Sequence, residues 1–183
     1  MEILFFLLET AFFLLIGSAL LRAWMNHLRI HMRAQPGRFV MALTDWLVKP
    51  VRRVLPRPLA QGRIDWGSLV AALALALAYG VIRALALDLV YGADLSAAAS
   101  LSMILVIGLK LLVRVLLQGL MVLLLVYAVL SWVQPQSPLM ATLYRLCEPI
   151  VRPVRRIVPT VGGVDLSVLV LLVLLQVGLM LLG

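Results

Sequence analysis

Lys49-Pro50-Val51-Arg52-Arg53-Val54-Leu55-Pro56 returns later in the chain as Arg152-Pro153-Val154-Arg155-Arg156-Ile157-Val158-Pro159. Five of the eight positions are identical, and the other three are conservative exchanges. Each copy follows a long apolar stretch and precedes another. A basic, proline-containing element between two apolar stretches, present twice, predicts a duplicated membrane hairpin.

Four apolar stretches flank the two elements: Ile3–Leu21, Ser68–Val90, Leu101–Val133 and Leu166–Leu182. A hydrocarbon core of about 30 Å needs about 20 helical residues, so all four read as spans. The third would be about 48 Å long at 1.5 Å per residue. Its membrane part is expected at Val115–Val133, with Lys110 and Arg114 just outside. Arg83 interrupts the second and is expected to snorkel to the far surface. The first stretch has Glu2 and Glu9 where a signal peptide has basic residues, and it reads as a retained helix.

Composition agrees. The chain has 183 residues, of which 64% are hydrophobic and only 13% charged. That is too little polar surface to cover a soluble domain of this size. The net charge of +8 would suggest nucleic acid in a soluble protein. Here the cations lie between apolar spans, so anionic lipid headgroups are the expected partner and nucleic acid is not. Cys147 is the only cysteine, which excludes an internal disulfide and a thiolate cluster.

The element itself is helical by pattern. Phe39, Leu43, Trp46, Leu47, Val51 and Val54 share one face of residues 38–55, a stretch too polar to span but suited to lying in the interface. Residues 139–158 repeat the design. Pro50 in the first copy, and Pro149 and Pro153 in the second, are expected to split these helices. Beyond the basic core, Asp45 matches Glu148, and Asp65-Trp66-Gly67-Ser68 matches Asp165-Leu166-Ser167. The reading is an all-α membrane protein of four transmembrane helices in two tandem repeats, residues 1–91 and 101–183, each with a cytoplasmic amphipathic element. Nine Lys and Arg lie from Arg22 to Arg63 and four from Arg145 to Arg156. The positive-inside rule therefore puts both elements in the cytoplasm of a bacterial inner membrane and both termini outside.

Candidate chemistry is sparse. Arg52, Arg53, Arg152, Arg155 and Arg156 suit lipid phosphates or a protein partner. Setting topology alone, or docking onto Asp45, Asp65, Glu148 or Asp165, are the competing roles. Asp65 and Asp165 stand where a helix cap is wanted, and a cation site is the alternative. Glu9, with Gln118 at comparable depth in the third span, is an intramembrane polar candidate, either interhelical glue or an ion or proton site. His27 and His31, spaced i, i+4, lack further ligands for zinc, so no metal or other cofactor is expected. No catalytic grouping is visible, and no enzyme is expected.

Ser131-Trp132, Leu143-Tyr144-Arg145-Leu146-Cys147-Glu148-Pro149-Ile150, Pro153–Pro159 and Gly162-Gly163-Val164-Asp165-Leu166-Ser167 together resemble the YGGT repeat. That repeat defines the YggT family of small bacterial membrane proteins. The resemblance covers residues 115–182, with a degenerate copy over residues 5–85. The first copy lacks the Gly-Gly pair and has Trp46 where the second has Pro149. The resemblance implies loose links to osmotic or potassium stress and to envelope or division organisation, and in plastid relatives to haem attachment. The function expected is a non-enzymatic protein that organises or assists assembly of other membrane components, with homo-oligomers possible. A small ion-handling protein for osmotic or potassium balance is the alternative, and haem delivery a weaker third.

Overall fold

The computed structural model of the chain describes residues 2–32, 36–56, 64–91, 97–158 and 166–183. They form six helices: α1 (Glu2–His27), α2 (Gly37–Val54), α3 (Trp66–Tyr91), α4 (Ala97–Val133), α5 (Pro138–Arg155) and α6 (Leu166–Leu182). Three of them, α1, α3 and α4, are long and apolar enough to cross a membrane, while α6 is equally apolar but has 17 residues. Their outward surfaces carry residues such as Leu4, Phe6, Leu105, Val129 and Leu181. Contiguous apolar surface of this kind would drive aggregation in water and is at home in hydrocarbon, so this is a membrane protein.

α4 is the central column, touching α1, α3, α5 and α6. Its packing on α3 is built from small residues. A Cβ on Gly80 would lie 2.5 Å from the Ile104 carbonyl oxygen, and one on Gly108 would lie 2.9 Å from that of Ala76. Between lipid-solvated helices there is no hydrophobic drive to associate, so close backbone approach supplies the contact. Ile16, Ala19, Ala72, Ala76, Tyr79, Leu111 and Val115 form one buried cluster among α1, α3 and α4. Met25, Ile30, Leu124, Tyr127, Leu143, Leu146, Cys147, Val151 and Val168 form the other. Through Met25 and Ile30 the end of α1 thus enters the packing of α4, α5 and α6.

The sequence explains that end. Ile30 N–H donates to the Met25 carbonyl and Arg29 N–H to that of Asn26. Arg29 has φ 53°, the left-handed conformation of a helix C-terminal cap. These are the two bonds of a Schellman motif, whose usual apolar contact is here Met25 against Ile30. The helix therefore stops at His27. His31 falls beyond it, so the two histidines do not share a helix face. His27 instead stacks on Trp24, with ring centroids 5.8 Å apart.

One further expectation is corrected. The prolines do not split their helices: α2 continues through Pro50, and α5 through Pro149 and Pro153. All three prolines are exposed, as are Trp46, Arg145 and Pro149, the residues whose carbonyls lose a partner, so the loss falls on the outward side of each helix. The face of α2 that packs on the protein is a separate one from the apolar stripe read in the sequence. Val40, Thr44 and Val48 are buried, whereas Phe39, Trp46 and Val54 point outward. An interfacial helix has two apolar neighbours, protein and bilayer, and periodicity does not separate them.

Candidate functional site

α2 joins the end of α1 to the start of α3, and α5 joins the end of α4 to the start of α6, so both cross the same end of the bundle. They contact those helices directly. The Trp24 indole N–H, at the end of α1, also donates to the Leu146 carbonyl of α5 at 3.1 Å. Corresponding positions are seated alike: Val40 and Leu143, Thr44 and Cys147, Val48 and Val151 are all buried. α5 starts on a Ser137 cap whose hydroxyl accepts the Met140 N–H, with Pro138 in the first turn, where its missing donor costs nothing.

The geometry divides each arginine pair. Arg52 turns inward and meets Asp65, Nη2 to Oδ2, at 2.6 Å. The Asp65 carboxylate also accepts the Ser68 N–H at 3.1 Å and the Ser68 hydroxyl at 2.8 Å, capping α3. Its side chain is 2% exposed, against 39% for Arg52. Gly67 makes this possible: a Cβ there would lie 2.5 Å from Arg52 Cγ. Asp65 is thus both the expected cap and the anchor of α2. In the second copy Arg155 reaches Glu148 at 3.4 Å. Arg53 and Arg156, the second members of the pairs, are exposed, as is Arg152. Arg38 and Arg145 extend the same outward basic surface.

A third node was not foreseen. Arg22, at the end of the first apolar stretch, is buried. Its Nη1 donates to the Thr44 hydroxyl and to Asp45 Oδ1, each at 2.8 Å. The Thr44 hydroxyl in turn donates to the Val40 carbonyl, and Lys49 holds the other Asp45 oxygen at 2.7 Å. The Lys49 hydrogen bond, against opposing burial and with Arg22 assisting, keeps the Asp45 carboxyl below its ordinary value. Only the polarity of Thr44 and Asp45 on a helix packed against α1 hinted at this node. Cys147 fills the place of Thr44 in α5, and burial pushes its thiol up to about 12. It is an inert filler at neutral pH.

Of the intramembrane candidates, Glu9 pairs with Arg114 across α1 and α4 at 3.1 Å, and not with Gln118 or Arg83. Gln118 is half-buried, and Arg83 lies over the Phe5 ring at 4.6 Å. Asp165 and the Gly162-Gly163 turn lie outside the described residues. Among the described residues no cluster of three or more His, Cys, Asp or Glu suits a metal ion.

The sequence profile of the CCB3/YggT family matches residues 1–86 and 101–183. The chain belongs to that family. It is 36% identical over 180 residues to "Uncharacterized protein YggT" of Escherichia coli (strain K12), covering 97% of this chain and 87% of the relative. It is 34% identical over 183 residues to "Uncharacterized protein in proC 3'region" of Vibrio alginolyticus, covering 97% and 92%. An uncharacterized protein of Haemophilus influenzae is 28% identical over 157 residues, covering 85% and 78%. No solved structure matches.

Proposed function

We propose that this chain is a non-enzymatic, four-span protein of the bacterial inner membrane that organises or assists assembly of other membrane components. Its working surface is the cytoplasmic basic face of α2 and α5, presented by two tandem repeats. The observation that carries this reading is the division of labour within the repeated arginines. Arg52 and Arg155 are spent on internal carboxylates and hold the helices in place, while Arg53, Arg152 and Arg156 face outward. Topology alone needs charge but not a fixed backbone, whereas a recognition surface needs both. The alike burial of Val40 with Leu143 and Val48 with Val151 supports two repeats that present this surface twice. The ligand chemistry is phosphate on an anionic leaflet, with partner proteins gathered there.

The test is enrichment of a fluorescent anionic lipid around the full-length protein in mixed phosphatidylcholine and phosphatidylglycerol nanodiscs. Three charges at about 1 kcal/mol each predict about a hundredfold loss in Arg53→Gln, Arg152→Gln, Arg156→Gln combined. Unchanged enrichment would overturn the reading. The ion-handling alternative needs a carboxylate free to exchange ions, and Glu9 is held by Arg114. Potassium and proton flux in proteoliposomes, with Glu9→Gln beside the parent, is its test.

A further inference from the structure

The Glu9–Arg114 pair is unusual in its depth. The Ala76–Gly108 contact fixes how α3 and α4 pass each other. Ala76 stands about 15 Å from the Trp66 end of α3 and about 22 Å from the Tyr91 end, at 1.5 Å per residue. Lys110 is two residues past Gly108, within about 3 Å of that level along the axis. Arg114 is one turn further on, and helical side chains lean back toward the N-terminus, which is how its guanidinium reaches Glu9. Three charges therefore cluster near the middle of the apolar helices rather than at a headgroup layer. They are not enclosed: the Arg114 and Glu9 side chains are 42% and 41% exposed, and Lys110 is exposed outright. Among the described residues Lys110 takes part in no ion pair.

Lys110 is set in an outward face of α4. Val106, Leu109, Lys110 and Val113 are all exposed and spaced i, i+3, i+4, i+7, the stripe along which one helix packs on another. The valines and leucine are content in lipid. An ammonium at this depth is not, and such residues pair with something. Of these three groups two are cations and one is a carboxylate, an excess of one. A second copy of this chain brings the same excess and does not cancel it. Headgroup phosphates lie most of a leaflet away. A helix carrying one carboxylate does cancel it.

We infer that the Val106–Leu109–Lys110–Val113 face of α4 is a docking site for a transmembrane helix of another protein bearing a single mid-span Asp or Glu, which pairs with Lys110. This site goes beyond the basic face of α2 and α5 and uses none of its residues, so the two stand or fall separately.

The experiment uses donor-labelled full-length protein in phosphatidylcholine vesicles at pH 8. Acceptor-labelled polyleucine transmembrane peptides carry a central Asp, Asn, Lys or no polar residue. The Asp peptide should associate most strongly. One interhelical polar contact of about 1 kcal/mol corresponds to about a fivefold preference over polyleucine. Lys110→Met should abolish that preference, Lys110→Arg should restore it, and Arg53→Gln with Arg156→Gln should leave it intact. Equal association of all peptides, or a preference that survives Lys110→Met, overturns the proposal. So does Lys110-dependent energy transfer between two labelled copies of the protein, which makes the occupant a second copy. Loss of the Asp preference when phosphatidylglycerol is added also overturns it, by making the occupant a lipid. Helicity and thermal unfolding of Lys110→Met matching the parent separate lost docking from lost fold.

Discussion

Asp65 offers the sharpest test of how the first basic element is held. Asp65→Ala removes a helix cap worth about 1 kcal/mol and one partner of an ion pair that is closed on one side. Stripping a partner from a fully buried pair costs about 3–5 kcal/mol. Arg52 is 39% exposed and keeps part of its hydration, so about 2 kcal/mol is the reasonable share. The total is about 3 kcal/mol, which on the scale of soluble chains of this length is a fall of about 6–12 °C in Tm. Asp65→Asn keeps an oxygen for the Ser68 N–H and loses only the charge, so it should cost about half as much. Thermal unfolding in detergent, followed by tryptophan fluorescence, suits the measurement because Trp66 adjoins the site. In an Arg52→Met background the cost of Asp65→Asn should shrink to about 0.5 kcal/mol or less, since the charge then has no partner. Gly67→Val, which drives a side chain into Arg52 Cγ, should mimic the loss of the pair. An Asp65→Asn cost that is the same with and without Arg52 would refute the reasoning.

Three further outcomes follow from single contacts. Gly80→Leu should destabilise by about 2 kcal/mol or more, because the Ile104 carbonyl it strikes is backbone and cannot step aside. Gly119→Leu, which meets nothing within 4 Å, should stay within about 0.5 kcal/mol; both are read from denaturant melts. Arg29→Gly should raise stability by about 1 kcal/mol by relieving a left-handed backbone that a Cβ disfavours, and a fall in Tm would contradict the Schellman assignment. Cys147 should resist maleimide at pH 8 in the folded protein and react on unfolding. Its raised value also predicts a stability change only in alkali. Above pH 9.0, the ordinary thiol value, the unfolded chain releases a proton that the folded one retains, so stability falls as pH rises.

Much of the fold was legible because the bilayer leaves few choices. Long apolar runs bounded by charge can only be helices, and the repeated Pro-Val-Arg-Arg core marks what lies between them. Asp65 was legible as a cap because Asp three residues before Ser at a helix start leaves few other uses for its oxygens. What escaped the sequence depended on partners far away in it. Arg22 reads as a boundary cation until Thr44 and Asp45 are brought to it, and Glu9 reads as interhelical glue or an ion site, with Arg114 not named as its partner, until α4 supplies that residue from 105 positions away. The inward packing of Val40, Thr44 and Val48, beside the Phe39 and Trp46 stripe, escaped for another reason. Lipid and protein interior reward the same side chains, so hydropathy shows an apolar face without saying what it faces. The prolines misled because their cost was judged as in a buried helix, when each sits on an exposed side.

The central claim is that Arg53 and Arg156 share one cytoplasmic surface. Single cysteines at Arg53→Cys and at Arg156→Cys, each in a Cys147→Ser background, test it most directly through a membrane-impermeant maleimide. Asp88→Cys, on the opposite end of α3, is the control. The account predicts that both arginine positions label in inverted vesicles and not in intact spheroplasts, with Asp88→Cys showing the reverse. Labelling of positions 53 and 156 from opposite sides, or of both from outside, would contradict it.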